Sequence, residues 1–164
     1  MKKRVGAAIL SVILAIAMTF AFYGCGAESG ASDGNDGEWE DNKEITTMYM
    51  YIDGDRREVS LAGNSATKEL TRRLEQGDII YTADDYGGFE KVGAFGGSLP
   101  ESNSRITTQP GDVMLYQGSQ IVVFYGSNTW AYTPIGRIQG LTSSQLRDFL
   151  GAGRGEIQVR LSLN

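Results

Sequence analysis

Between Arg105 and Gly126 the chain reads RITTQPGDVMLYQGSQIVVFYG. Three apolar or β-branched runs are separated only by a Pro-Gly-Asp turn and a Gly-Ser turn, which is the signature of short consecutive strands. The last run, Ile121 to Tyr125, is apolar without interruption and predicts a strand buried on both faces. Nothing here has the rhythm of strand, helix and parallel strand, so the fold must be built mainly from sheet.

The flanking sequence agrees. Thr46–Ile52 alternates β-branched and aromatic residues, Asp53-Gly54 is a hairpin signal, and Arg57–Leu61 alternates again. NSATKELTRRLEQG then changes period. Asn64 or Ser65 can cap a helix, Ala66, Leu70 and Leu74 recur at four-residue spacing, and Gly77 ends the run. Asp78–Ala83 reads as a strand, and Trp130–Ile138 as one or two more. Thr142 and Gln145 stand at capping-box spacing before a second short helix ended by Gly151. In the closing EIQVRLSL, residues Ile157, Val159, Leu161 and Leu163 share one face. Many short strands with two short helices predict a barrel or a sandwich, and we read a small barrel with helices closing its ends.

The N-terminus is of another kind. Lys2, Lys3 and Arg4 precede an apolar run from Val5 to Tyr23, and Gly24 leads into Cys25, the one cysteine of the chain. The position, the basic flank and the processing-like end read as an export signal over residues 1–24. Phe22-Tyr23-Gly24-Cys25 resembles a bacterial lipobox, with bulkier residues than usual before the glycine. Lipid on Cys25 would hold the protein to the extracytoplasmic face of the cell membrane. An uncleaved anchor or a buried free thiol are the alternatives.

Loss of residues 1–24 moves the net charge from −5 to −8, and residues 26–44 carry −6 of it. A Gly/Ser/Asp-rich stretch with that charge buries too little to offset its ordering entropy, so residues 25–44 are expected to be a flexible tether to a domain at 45–164. No basic stripe exists to track a nucleic-acid backbone.

Histidine is absent, which removes Ser-His-Asp and Cys-His relays and imidazole metal ligands. No metal site or cofactor is expected. Ser65-Ala66-Thr67-Lys68 has the S-x-x-K spacing, but without its companion motifs it reads as a helix cap and a solvated lysine. Asp33, Asn35 and Glu44 fit three positions of a calcium loop whose turn glycine is missing, and read as tether.

Asp85–Pro100, DYGGFEKVGAFGGSLP, holds five glycines among aromatic residues. It matches neither G-x-G-x-x-G nor G-x-x-x-x-G-K-[ST], and no helix follows, so it is not a phosphate loop. Two readings remain: tight turns alone, or backbone and aromatic faces offered to a ligand.

DYGGFEKVGAFGGSLP, TTQPGDVMLYQGSQIVVFYGSNTWAYTPIGRI and the closing VRLSL together resemble the bacterial cyclophilin-like family, over about residues 46–163. The resemblance implies a closed, roughly eight-stranded barrel capped by two helices. Some members are lipoproteins, and some are linked to flavodoxin-like proteins, which implies such a protein as a partner or a place beside a redox system. True cyclophilins isomerise X-Pro bonds with an arginine inside F-H-R and Gln-Phe-Phe motifs, and this chain has neither. Isomerisation needs an apolar pocket and a cation to lower a barrier of ~18–20 kcal/mol, and Arg105 or Arg137 are the cations on offer.

The leading expectation is therefore a non-enzymatic binding module for a small molecule or a peptide. Its groove would draw on Tyr86, Gly87, Gly88, Phe89, Phe95, Arg105, Tyr116, Trp130 and Tyr132. Tyr125 is expected in the core, and Trp130, after the polar Ser127-Asn128-Thr129, at a rim. A peptidyl-prolyl isomerase of altered motif is the rival; a cation at the floor of the groove would favour it.

Overall fold

A computed structural model describes residues 44–164 of the chain. Cys25, the export-signal and lipobox readings and nearly all of the expected tether lie outside the described residues. The strands are β1 (Thr47–Ile52), β2 (Asp55–Leu61), β3 (Ile79–Tyr86), β4 (Glu90–Ala94) and β5 (Ser104–Thr107), then β6 (Asp112–Tyr116), β7 (Gln120–Phe124), β8 (Thr129–Ile138) and β9 (Ile157–Ser162). Helix α1 (Ser65–Leu74) lies between β2 and β3, and α2 (Ser143–Phe149) between β8 and β9.

All pairings are antiparallel, in the order β2-β1-β9-β3-β4-β7-β6-β8, and β2 pairs with β8 to close eight strands into a barrel. The ninth strand, β5, is added outside the ring along the first four residues of β8. Strand β8 is long enough to serve three neighbours: Thr129–Tyr132 pair with β5, Thr133–Arg137 with β6 and Gly136–Ile138 with β2. The register against β6 slips between Val113 and Met114. Such a bulge bends a strand and re-aims its side chains.

Local chemistry explains the joints. Asp53 (φ 51°) and Gly54 (φ 87°) make the two-residue β1–β2 turn, whose doubly positive φ matches the twist of a hairpin. Asn64 caps α1: its Oδ1 accepts from the Thr67 N–H at 3.0 Å, while Thr67 Oγ1 accepts from the Asn64 N–H at 2.9 Å. The Asn64 amide also donates to the Pro134 carbonyl at 2.7 Å, tying the start of the helix to β8. Thr142 and Gln145 form the second capping box, as their spacing predicts. The S-x-x-K lysine is solvated, with Glu44 4.0 Å away.

Period-two alternation divides the buried residues into two cores. Inside the barrel lie Met48 and Met50, Val113 and Leu115, Ile121 and Val123, and Val159 and Leu161, with Ala66, Leu70, Leu74, Leu146 and Phe149 from the helices. Met114, Val122, Phe124 and Tyr132 form a second, smaller cluster with Phe89, Val92, Ile106 and Tyr116 packed against it. Strands β6 and β7 thus bury both faces, as the uninterrupted Ile121–Tyr125 run predicts, and the second face is the outer wall of the barrel.

One expectation is corrected. The glycine-rich segment is not a loop throughout: Glu90–Ala94 is a ladder strand pairing with β3 and β7. Gly93 lies where a Cβ would come within 2.3 Å of the Thr82 carbonyl oxygen and 2.7 Å of the Tyr81 ring, so close strand approach excludes a side chain there.

Candidate functional site

The outer face of β4, β7, β6 and β8 carries a cavity of about 360 Å³. Register dictates its lining. Val92 and Val122 are cross-strand partners, Tyr116 stands opposite Gln120, and Trp130 and Tyr132 are two apart on β8. With Tyr86, Glu90 and Asn128 these residues complete the wall. Trp130 and Tyr86 are 54% and 66% exposed and form a rim, while Tyr132 is buried at the base. Tyr132 meets Phe124 and Tyr116 edge to face, with centroids 5.5 and 6.1 Å apart. Such contacts lock ring orientations. The Asn128 amide donates to the Tyr132 hydroxyl at 3.1 Å.

Four of the expected groove residues, Tyr86, Tyr116, Trp130 and Tyr132, are brought together here. The other five lie elsewhere. Phe95 sits in the barrel interior, 6% exposed, because the chain after β4 turns inward and the Phe95 N–H donates to the Ser119 carbonyl. Gly87 (φ 61°) and Gly88 (φ 75°) form the tip of the β3–β4 turn, where positive φ favours glycine. Phe89 packs beneath that turn against the second cluster, and its carbonyl accepts from the Tyr125 and Gly126 N–H groups at 2.9 and 2.8 Å. Arg105 is exposed on β5 and outside the lining. Arg137 lines a different hollow beside Pro110 and Gly111, where it pairs with Asp112 and donates to the Pro110 carbonyl. Among the described residues, neither arginine nor lysine lines the aromatic cavity. In Asp85–Pro100, positive φ thus accounts for Gly87, Gly88 and Gly96 and close strand approach for Gly93, while Tyr86 alone of its aromatic residues lines the cavity.

Sequence reading passed over Glu90. It is 5% exposed, and its Oε2 is buried with no hydrogen-bond partner. Burial alone pushes its carboxyl up to about 7 from an ordinary 4.5. The phenol of Tyr132 is also raised, first by burial and then by the nearby Glu90 charge. The one available sequence signal was an acid directly after an aromatic turn and two residues before an apolar strand partner.

The neighbouring residue faces the other way. Lys91 is 1% exposed inside the barrel, with its ammonium 2.9 Å from Asp85 Oδ2 and donating also to the Gly155 carbonyl. Asp85 accepts in addition from the Tyr125 hydroxyl at 2.8 Å and the Gly155 N–H at 3.0 Å. Burial would raise the Asp85 carboxyl, but its bonds from Lys91, Tyr125 and backbone N–H groups outweigh that and hold it at about 2. Tyr125 is buried, in the core position its strand predicts. Among the described residues no group of three acids, histidines or cysteines is placed to hold a metal ion.

Two solved structures share the architecture. The solution structure of the hypothetical protein AF2241 from Archaeoglobus fulgidus is similar at 17% identity and a TM-score of 0.55, over 73% of this chain and 95% of that one. The structure of McbB in complex with tryptophan is similar at 16% identity and a TM-score of 0.53, over 70% of this chain and 44% of that one. At these identities the likeness is one of fold. Among curated proteins none matches the chain. The model of the cyclophilin-like family matches residues 50–162, most of the described domain. By that match, and by the closed barrel it accompanies, the chain belongs to the cyclophilin-like family.

Proposed function

We propose that this protein is a binding module, held to the outer face of a membrane by lipid on Cys25, that receives a small ligand in the aromatic cavity on its barrel wall. One observation carries the reading: four aromatic side chains converge on about 360 Å³ of open space with no cation among them. A cavity of that size and lining matches ordinary small-molecule sites, which are apolar with a few placed polar groups. The missing cation counts against proline isomerisation at this site, because no arginine or lysine in the lining could interact with the prolyl nitrogen.

Two measurements test the reading. The chain has two tryptophans, so a Trp39→Phe background makes Trp130 the sole indole reporter. Titration of the full chain in mild detergent with a neutral aromatic probe, phenethyl alcohol, is expected to change Trp130 fluorescence saturably. A Tyr132→Ala change should remove the response. NMR exchange spectroscopy of a short X-Pro peptide is expected to show no acceleration over the uncatalysed exchange, which takes tens to hundreds of seconds. Acceleration would replace the binding reading with an isomerase. For the anchor, Cys25→Ala is expected to release the protein from the membrane fraction; retention would make the hydrophobic run itself the anchor.

A further inference from the structure

A buried carboxyl without a donor needs an explanation, since an unmet buried polar group costs about 1–3 kcal/mol and more when charged. Oε2 of Glu90 has no partner, Glu90 is the one acid in the cavity lining among the described residues, and its strand neighbour Lys91 is turned into the barrel and already satisfied. A glutamine or an aliphatic residue would fill the same place on β4 more cheaply. What a carboxylate offers there is an acceptor and a negative charge in the wall of a space lined by aromatic rings.

We propose that the aromatic cavity takes a small organic primary ammonium ion, with Glu90 as its counter-ion and the faces of Tyr86, Tyr116, Trp130 and Tyr132 around its cationic end. The proposal rests on the binding reading above and names its ligand class. The arrangement supplies both things such a cation needs on leaving water: a charge-assisted acceptor and aromatic rings with negative faces. It also turns anions away, because a carboxylate or phosphate would meet Glu90 with no arginine or lysine to offset it.

The groups facing Glu90 leave it as the one that titrates near neutrality. Tyr86 comes from β3, Gln120, Val122 and Phe124 from β7, Tyr116 from β6, and Trp130 and Tyr132 from β8; Tyr125 lies just past the end of β7. The titratable ones are all tyrosines. Affinity for the cation is therefore expected to rise as pH rises toward and past neutrality, as Glu90 gives up its proton.

The test uses the full chain in mild detergent, in the Trp39→Phe background, with three probes of one shape. Phenethylammonium, like a lysine side chain, stays charged at about pH 8; phenethyl alcohol is neutral and phenylacetate anionic. The ammonium is expected to bind at least about tenfold tighter than the alcohol, and phenylacetate not to bind. Glu90→Gln keeps the shape and removes the charge, so it should lose most of the ammonium preference and keep only the share that the aromatic rings supply. A thermal melt verifies that this variant is folded. Equal binding of ammonium and alcohol, or a preference undiminished by Glu90→Gln, overturns the ammonium assignment while leaving a neutral-ligand site. Preference for phenylacetate overturns it likewise. Failure of all three probes to bind overturns both the assignment and the binding reading.

Discussion

Lys91 and Glu90 are adjacent on one strand and both withdrawn from solvent, yet the protein treats them in opposite ways. Inside the barrel, Lys91 meets a carboxylate and a backbone carbonyl, and that carboxylate is itself held by a tyrosine and a backbone N–H. On the outer wall, Glu90 lines the aromatic cavity, and its buried Oε2 has no hydrogen-bond partner. The difference separates a buried charge that belongs to the structure from one left available to something else. Completeness of the hydrogen-bond shell, more than burial, tells the two apart.

The contrast is open to three challenges of decreasing size. Replacing Lys91 by Met should destabilise the protein by about 3 kcal/mol, since the partly buried Asp85 loses its cation. A urea midpoint near that of wild type would mean the pair is no structural element, and the comparison would break. Glu90→Gln should act in the reverse sense and depend on pH. Unfolded, Glu90 ionises near 4.5; folded, only near 7. Between those values the unfolded chain sheds a proton that the folded one keeps, so wild-type stability falls as pH rises and stays low above 7. Glu90→Gln removes that loss, with a ceiling of roughly 3 kcal/mol above pH 7 and little effect below 4.5. Asp85, held at about 2 against an ordinary 3.8, loses its contribution only at lower pH and leaves the window clear. Parallel stability–pH curves for the two proteins would show that Glu90 is paired after all. The smallest effect sharpens the comparison: Trp130→Ala, at an exposed rim, should move stability by no more than about 0.5 kcal/mol while weakening probe binding. Calorimetric melting alongside titration separates the two outcomes.

Much of the barrel was legible because its joints are local. Asp53-Gly54, the two capping boxes and the alternation in Ile157–Leu163 each announce themselves within a few residues. Strand β4 was not legible, and the reason is physical. Glu90 and Lys91 are consecutive charged residues buried on opposite faces, which no period-two pattern of apolar residues represents. What permits Lys91 is Asp85, six residues earlier, with Gly155, 64 residues later. The site was legible in composition and not in membership. Tyr86 and Phe95 look alike in sequence, but the chain after Ala94 folds one inward while the hairpin holds the other out. Arg105 and Arg137 were offered on charge alone, and neither lies at the aromatic cavity.

The sheet order has a consequence in time. Strand β9, the last of the nine in chain order, lies between β1 and β3, pairing with β3 over Ile157–Leu161 and with β1 over Arg160–Ser162. Until residues 157–162 have left the ribosome, the β1–β2 hairpin has an open edge along β1, beside the apolar Met48 and Met50. An open strand edge beside apolar side chains invites pairing with the wrong chain. The nascent protein must therefore carry its first hairpin unfinished until β9 has been made, and its barrel closes only then. A premature stop before Ile157 would remove a strand from the interior of the sheet, not a frayed end.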